Sequence, residues 1–212
     1  MHRILDIENW NRKEHFLFFC QCDEPFFGIV AEVDCTEAYN FCKLNKIPFF
    51  LFYHHKAIIA VNQMEEFRYR IRDNDILIYD TIHVTTTISR TDNTFAFSFI
   101  PFTTSFNNFT KLAKAEIESV KNSNGIRLSE NSSRPDVIHF STVPWIRFTG
   151  VTHPRNFKYN DSVPKITFGK YLYKNERLIM PVSINVHHGL MDGFHVGKYL
   201  QLFQQLLNDH SI

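Results

Sequence analysis

Apolar side chains recur at every second position from Met180 to Val186. From Asp192 onward the spacing lengthens, and Val196, Tyr199, Leu200, Phe203 and Leu207 share one face. The first period is that of a strand and the second that of an amphipathic helix. The link is His187-His188-Gly189-Leu190-Met191-Asp192-Gly193, so two imidazoles stand where a strand gives way to a loop that opens a helix. Flanking elements fix such a histidine while the loop leaves one ring nitrogen accessible, an arrangement suited to proton transfer.

The same reading extends along the chain. Helix starts are expected near Asn9 or Asn11 as caps, at Thr36, at Pro48 as a first helical residue, and at Thr103 or Thr104. Gly125 is the expected left-handed stop of the helix that follows Thr104. Strands are expected over 27–33, 67–71, 76–79, 82–88, 94–100, 137–142, 166–173 and 178–186. Strands and helices mix without strict βαβ alternation, and this predicts an α+β fold with a mixed or antiparallel sheet. The stretch Gly150 to Pro164 is expected to be irregular. No linker or repeat divides the chain, so residues 1–212 are expected to form one domain.

Composition narrows the function. Twenty-two Phe among 212 residues imply a sheet-rich core, apolar pockets or a buried subunit interface. A formal charge of +1 excludes a whole-domain footprint for nucleic acid. The start, Met1-His2-Arg3-Ile4, lacks a leader pattern, and the apolar run from Ile47 to Val61 is broken by His54, His55 and Lys56. The expectation is a soluble cytoplasmic protein with no nucleic-acid or membrane partner. Cys20, Cys22, Cys35 and Cys42 read as reduced thiols, since one Cys-x-Cys without a second pair is a weak zinc signal. His54 and His55 read as packing or surface-turn residues.

Five blocks in order carry a family resemblance: Asn9-Trp10-Asn11-Arg12-Lys13-Glu14-His15-Phe16; Ile76 through His83; Ser141-Thr142-Val143-Pro144-Trp145; Thr167-Phe168-Gly169-Lys170-Tyr171; and His187 through Val196 with its His-His-x-x-x-Asp-Gly. Together they resemble the trimeric chloramphenicol acetyltransferase family. The resemblance implies a two-layer sandwich of a mixed β-sheet packed with helices, a homotrimer, and active sites between neighbouring subunits. It also implies acetyl-CoA as co-substrate, a small hydroxyl acceptor (chloramphenicol foremost) and antibiotic inactivation.

By the same resemblance His188 is the catalytic base, Ser141 the donor to the developing oxyanion, and Asp192 and Arg12 an ion pair supporting the loop. Thr167 helps hold an ordered water. Phe19, Phe27 and Trp145 bind the acceptor, while Lys170 and Tyr171 lie along the coenzyme A passage. Acetyl transfer to an alcohol needs a base for the hydroxyl proton and a donor for the carbonyl oxygen, but no metal. His187 reads as a buried structural partner, and Asp192 also reads as a helix cap.

Other readings stay open: an acyltransferase of this fold acting on another hydroxyl, a dihydrolipoyl acyltransferase core, or a catalytically silent trimeric binding protein. Two stretches depart from the family pattern. Ile146-Arg147-Phe148-Thr149-Gly150-Val151-Thr152-His153-Pro154-Arg155 follows Trp145 where chloramphenicol-handling relatives carry Phe-rich, Asn-containing sequence. Asp23 and Glu24 fall where the pocket is usually apolar. A carboxylate buried against a nitrobenzene ring is costly, so either Asp23 turns to solvent or the acceptor differs.

Overall fold

Each alternating segment of the sequence becomes a strand whose two sides meet different surroundings. The computed structural model describes residues 1–128, 131, 134–156 and 161–211. It opens with β1 (His2–Ile4), α1 (Lys13–Phe19), β2 (Phe26–Asp34), α2 (Thr36–Leu44) and α3 (Phe49–Gln63). Next come the hairpin β3 (Tyr69–Arg72) and β4 (Asp75–Tyr79), the hairpin β5 (His83–Ser89) and β6 (Phe95–Ile100), and α4 (Phe106–Lys121). The last elements are β7 (Val137–Val143), β8 (Lys165–Gly169), β9 (Leu172–Lys174), β10 (Arg177–His187) and α5 (Gly193–Asn208).

The main sheet runs β2-β10-β8-β7-β5-β6, with β9 paired to the start of β10, and a smaller sheet runs β1-β4-β3. β7 is parallel to both β5 and β8, and the other pairs are antiparallel. The fold is therefore α+β with a mixed sheet.

One face of the main sheet is apolar. Val84, Ile138, Phe140, Ile166, Phe168, Val182 and Ile184 are buried there with residues of α3, α4 and α5 in one continuous core. At about 25 cal/mol per Å² of buried apolar surface, this layer is the main stabilising term. His54 and His55 are packing residues within it, 1% and 2% exposed. Burial holds the His54 ring neutral, its pKa pushed down to about 3. Cys35 and Cys42 are buried as well, and burial raises both thiols to about 12.

Several local expectations give way to geometry. The cap of α1 is Arg12, without a side-chain cap bond, because Asn9 instead donates to Asp6. Ser105 caps α4, while the Thr103 hydroxyl accepts from the Ser105 amide. Gly125 does adopt φ +69, but α4 has already ended at Lys121. The strand expected over 166–173 is split, because the chain leaves the sheet at Lys170 and Tyr171 before re-pairing. Of the irregular stretch between Gly150 and Pro164, residues 157–160 lie outside the described residues, as does residue 212 of the expected domain. Among the described residues, no helix is long and apolar enough to cross a membrane.

Candidate active site

β10 delivers His187 and His188 to the end of the sheet, and the two rings part company. His187 is 4% exposed, and its Nδ1 accepts from the Gly189 amide at 3.1 Å. Burial above all, and then the nearby Arg155 charge, holds its pKa down at about 4. A side chain at Gly189 would press on this ring at 3.1 Å, so glycine lets the loop close over it. His187 is thus a neutral packing partner.

The His188 amide donates to Pro25 O at 2.8 Å, which anchors the loop to the strand entering β2. Phe19 stacks on the His188 ring at 3.9 Å and 7°, and Phe27 lies at 4.5 Å. Nδ1 is buried without a hydrogen-bond partner among the described residues. Among the described residues Nε2 is not one of the buried polar atoms left without a partner, and the ring is clamped between two aromatics.

Asp192 serves two structures at once. One carboxylate oxygen receives Arg12 Nη1 at 2.6 Å, and the other accepts from the Phe194 amide at 3.0 Å as the cap of α5. The Asp192 amide donates to His195 Nδ1 at 3.2 Å, which closes a capping box, and the same ring nitrogen lies 2.8 Å from that second oxygen. Arg12 also donates to His188 O at 3.2 Å. A single guanidinium therefore ties α1, the His188 loop and the start of α5 together.

Burial is the largest single influence on the Asp192 carboxyl and opposes its ionisation. The bonds from Arg12 and His195 outweigh it and hold the pKa at about 2, below the usual 3.8. The ionised carboxylate stabilises the fold above pH 3.8, and this contribution disappears as pH falls through about 2. The side chain is 35% exposed, so solvent screening reduces the full shift to about 1–2 kcal/mol. Urea unfolding of the parent and Asp192→Asn at pH 6 and pH 3 measures this. The gap between the two proteins is expected to shrink at the lower pH.

Ser141 and Thr167 stand elsewhere. They are register partners on parallel strands, and Thr167 in turn faces Ser183 on β10. One polar row therefore crosses three strands. Thr167 is 1% exposed, with Oγ1 3.4 Å from His153 Nε2. This row projects from the face opposite the helices, whereas Phe27, against which His188 packs, belongs to the helix-facing side. His188 lies five residues beyond Ser183. At about 3.3 Å per residue and about 4.8 Å per strand, it sits roughly 19 Å from Ser141. One copy of the chain does not bring the imidazole and the hydroxyl together.

Of the remaining expected residues, Phe19 and Phe27 lie with His188, while Trp145, 69% exposed, borders a cavity beside Ser141. Lys170 is exposed and its amide bonds Ile146 O at 2.9 Å. Tyr171 packs on Tyr39 and Phe49. Asp23 is exposed, and Glu24 pairs with Arg155. The sequence reading passed over His139, His153, Asp161 and Lys165, which border the same cavity as Ser141. Period two was the available signal: counting back from Ser141 reaches His139, and from Thr167 reaches Lys165. Among the described residues, no cluster of three or more His, Cys, Asp or Glu is arranged to hold a metal ion.

The family described as chloramphenicol acetyltransferase matches residues 1–204. Chloramphenicol acetyltransferase 3 of Escherichia coli is 26% identical over 205 residues, covering 96% of this chain and 95% of its own length. A chloramphenicol acetyltransferase of Clostridium perfringens is 29% identical over 207 residues, covering 96% and 97%. A solved chloramphenicol acetyltransferase superposes with a TM-score of 0.90 at 31% identity, covering 98% of this chain and all of that one. The dihydrolipoamide acetyltransferase of Azotobacter vinelandii shares the fold, with a TM-score of 0.69 at 14% identity over 92% of this chain and 86% of its own.

Proposed function

The chain belongs to the chloramphenicol acetyltransferase family, and from that premise we propose that it is an acetyl-CoA-dependent O-acetyltransferase acting on a hydroxyl of chloramphenicol, with His188 as general base. The observation that carries this reading is the clamped His188 ring, held between Phe19 and Phe27 with Nδ1 sealed off. A neutral imidazole with its hydrogen on Nδ1 offers the Nε2 lone pair to an incoming alcohol.

The chemistry is direct. Nε2 takes the hydroxyl proton as the alcohol oxygen attacks the thioester carbonyl. The Ser141 hydroxyl donates to the oxygen that becomes negative, and Thr167 supports a water nearby. Collapse of the tetrahedral adduct breaks the carbon–sulfur bond, and the imidazolium returns its proton to the departing thiolate of coenzyme A. Arg12 and Asp192 do not touch substrate; they hold the loop that aims His188. Phe19, Phe27 and Trp145 contact the acceptor, with Lys170 and Tyr171 along the route of the coenzyme. No step calls on a metal.

The separation of His188 from Ser141 supports a homotrimer of single-domain subunits, in which the imidazole of one subunit faces the hydroxyl of the next. A cyclic arrangement repeats this contact three times and leaves no site unfilled. Because acetyl-CoA is an intracellular metabolite, the reaction belongs in the cytoplasm. The test is thiol release from acetyl-CoA in the presence of chloramphenicol, alongside light scattering at micromolar concentration. Release dependent on the drug, from a particle three times the chain mass, is the expected result. Release only with other alcohols would overturn the drug assignment, and a monomer that turns over would overturn the shared site.

A further inference from the structure

Beside Ser141 the uncovered face of the sheet forms a cavity of about 950 Å³. Its floor is polar in a regular way. Thr85 pairs with His139 across β5 and β7, His139 with Lys165 across β7 and β8, and Lys165 with Asn185 across β8 and β10. This row runs parallel to the one containing Ser141 and Thr167, two residues away along each strand, or about 7 Å.

The groups in the first row are engaged with one another. The Thr85 hydroxyl bonds His139 Nδ1, and Lys165 Nζ holds Asp161 at 2.6 Å. His153 reaches over from the loop to Thr167 and lines the same space. Burial, followed by the Lys165 charge, depresses both histidines, His139 to about 4. Near pH 7 each ring is therefore neutral, with one nitrogen already engaged, His139 Nδ1 by Thr85 and His153 Nε2 by Thr167. The Lys165 and Asp161 charges balance. Phe95 and Phe97, on the same sheet face along β6, and Trp145 add an aromatic border.

A floor like this has a cost for an acceptor that cannot answer it. A plain aryl ring laid over the half-buried His139 and His153 displaces water from them and returns no hydrogen bond. A nitro group is a weak acceptor and returns little. A sulfonyl, amide or hydroxyl group about 7 Å from the Ser141 row meets this row directly. We infer that this cavity selects hydroxyl acceptors whose far end carries uncharged hydrogen-bonding groups, in preference to those ending in a nitrophenyl ring. His139 and His153 are the residues that set the choice, with Thr85 fixing the His139 ring from beneath. The inference rests on the reading of Ser141 as the oxyanion donor, which puts the acceptor in this cavity.

The test compares two acceptors with the same propanediol: chloramphenicol, with its para-nitro group, and thiamphenicol, with para-methylsulfonyl. Thiol release from acetyl-CoA gives kcat/KM for each. The parent enzyme is expected to use the sulfonyl compound at least as well as the nitro compound. His153→Leu and His139→Leu are each expected to lower the sulfonyl-to-nitro ratio by about three- to tenfold, the loss of one hydrogen bond to substrate. A ratio unchanged in both variants overturns the inference. So does a loss in His153→Leu shared equally by both acceptors, which would make His153 only a support for Thr167. No release with either compound, or with any alcohol tried, would instead remove the acetyl-transfer reading beneath it.

Discussion

His188→Ala is expected to lower kcat by about 10²–10⁴-fold, the usual contribution of a positioned general base. KM for acetyl-CoA should move little, because the imidazole acts on the alcohol and not on the thioester's carrier. The fold should tolerate the change. His188 sits in a loop, its ring is only partly buried, and its main-chain bond to Pro25 survives substitution. Circular dichroism that matches the parent, together with steady-state thiol release, checks both halves of the statement. A variant that turns over at the parental rate removes His188 from the reaction.

The second large effect belongs to Ser141→Ala, which is expected to cost about 10²–10³ in kcat through loss of one donor to the developing oxyanion. Its fuller use is in combination. The two residues lie roughly 19 Å apart on opposite sides of one sheet, so each working centre in the proposed trimer draws His188 and Ser141 from different chains. Refolding an equal mixture of His188→Ala and Ser141→Ala chains should then restore roughly a quarter of parental activity, since half of all subunits supply an intact imidazole and half of their neighbours an intact hydroxyl. Centres contained within one chain would restore none. Mixed refolding followed by the same thiol assay decides between them.

How much of this was legible beforehand varies by residue. The strand-to-helix switch at 187–193 was plain because periodicity is local, and Asp192 as both cap and ion-pair partner was readable from its place before Gly193 and from the family pattern. β1 was missed because three residues are too few to alternate visibly. The position of Ser105 as the α4 cap turned on which of three neighbouring hydroxyls faced the first helical turn, a matter of backbone angle. The polar floor was missed for another reason. Thr85, His139 and Lys165 are far apart in sequence and become neighbours only through strand pairing. Arg70 illustrates the limit most sharply. It is 1% exposed, yet it donates to the carbonyls of Phe67, Tyr69, Pro135 and Val137. No periodic pattern distinguishes such an arginine from one at the surface.

The two-sidedness of the main sheet has a consequence for inheritance. In the proposed site, mutations that remodel the room for the drug fall on the polar side, while those that retune proton removal fall around the aromatic clamp at the far end. Within one chain these are remote neighbourhoods, which the proposed trimer would join. Selectivity can drift in such a lineage while reactivity stays fixed, and a population under changing antibiotic pressure can explore new targets without first surrendering turnover.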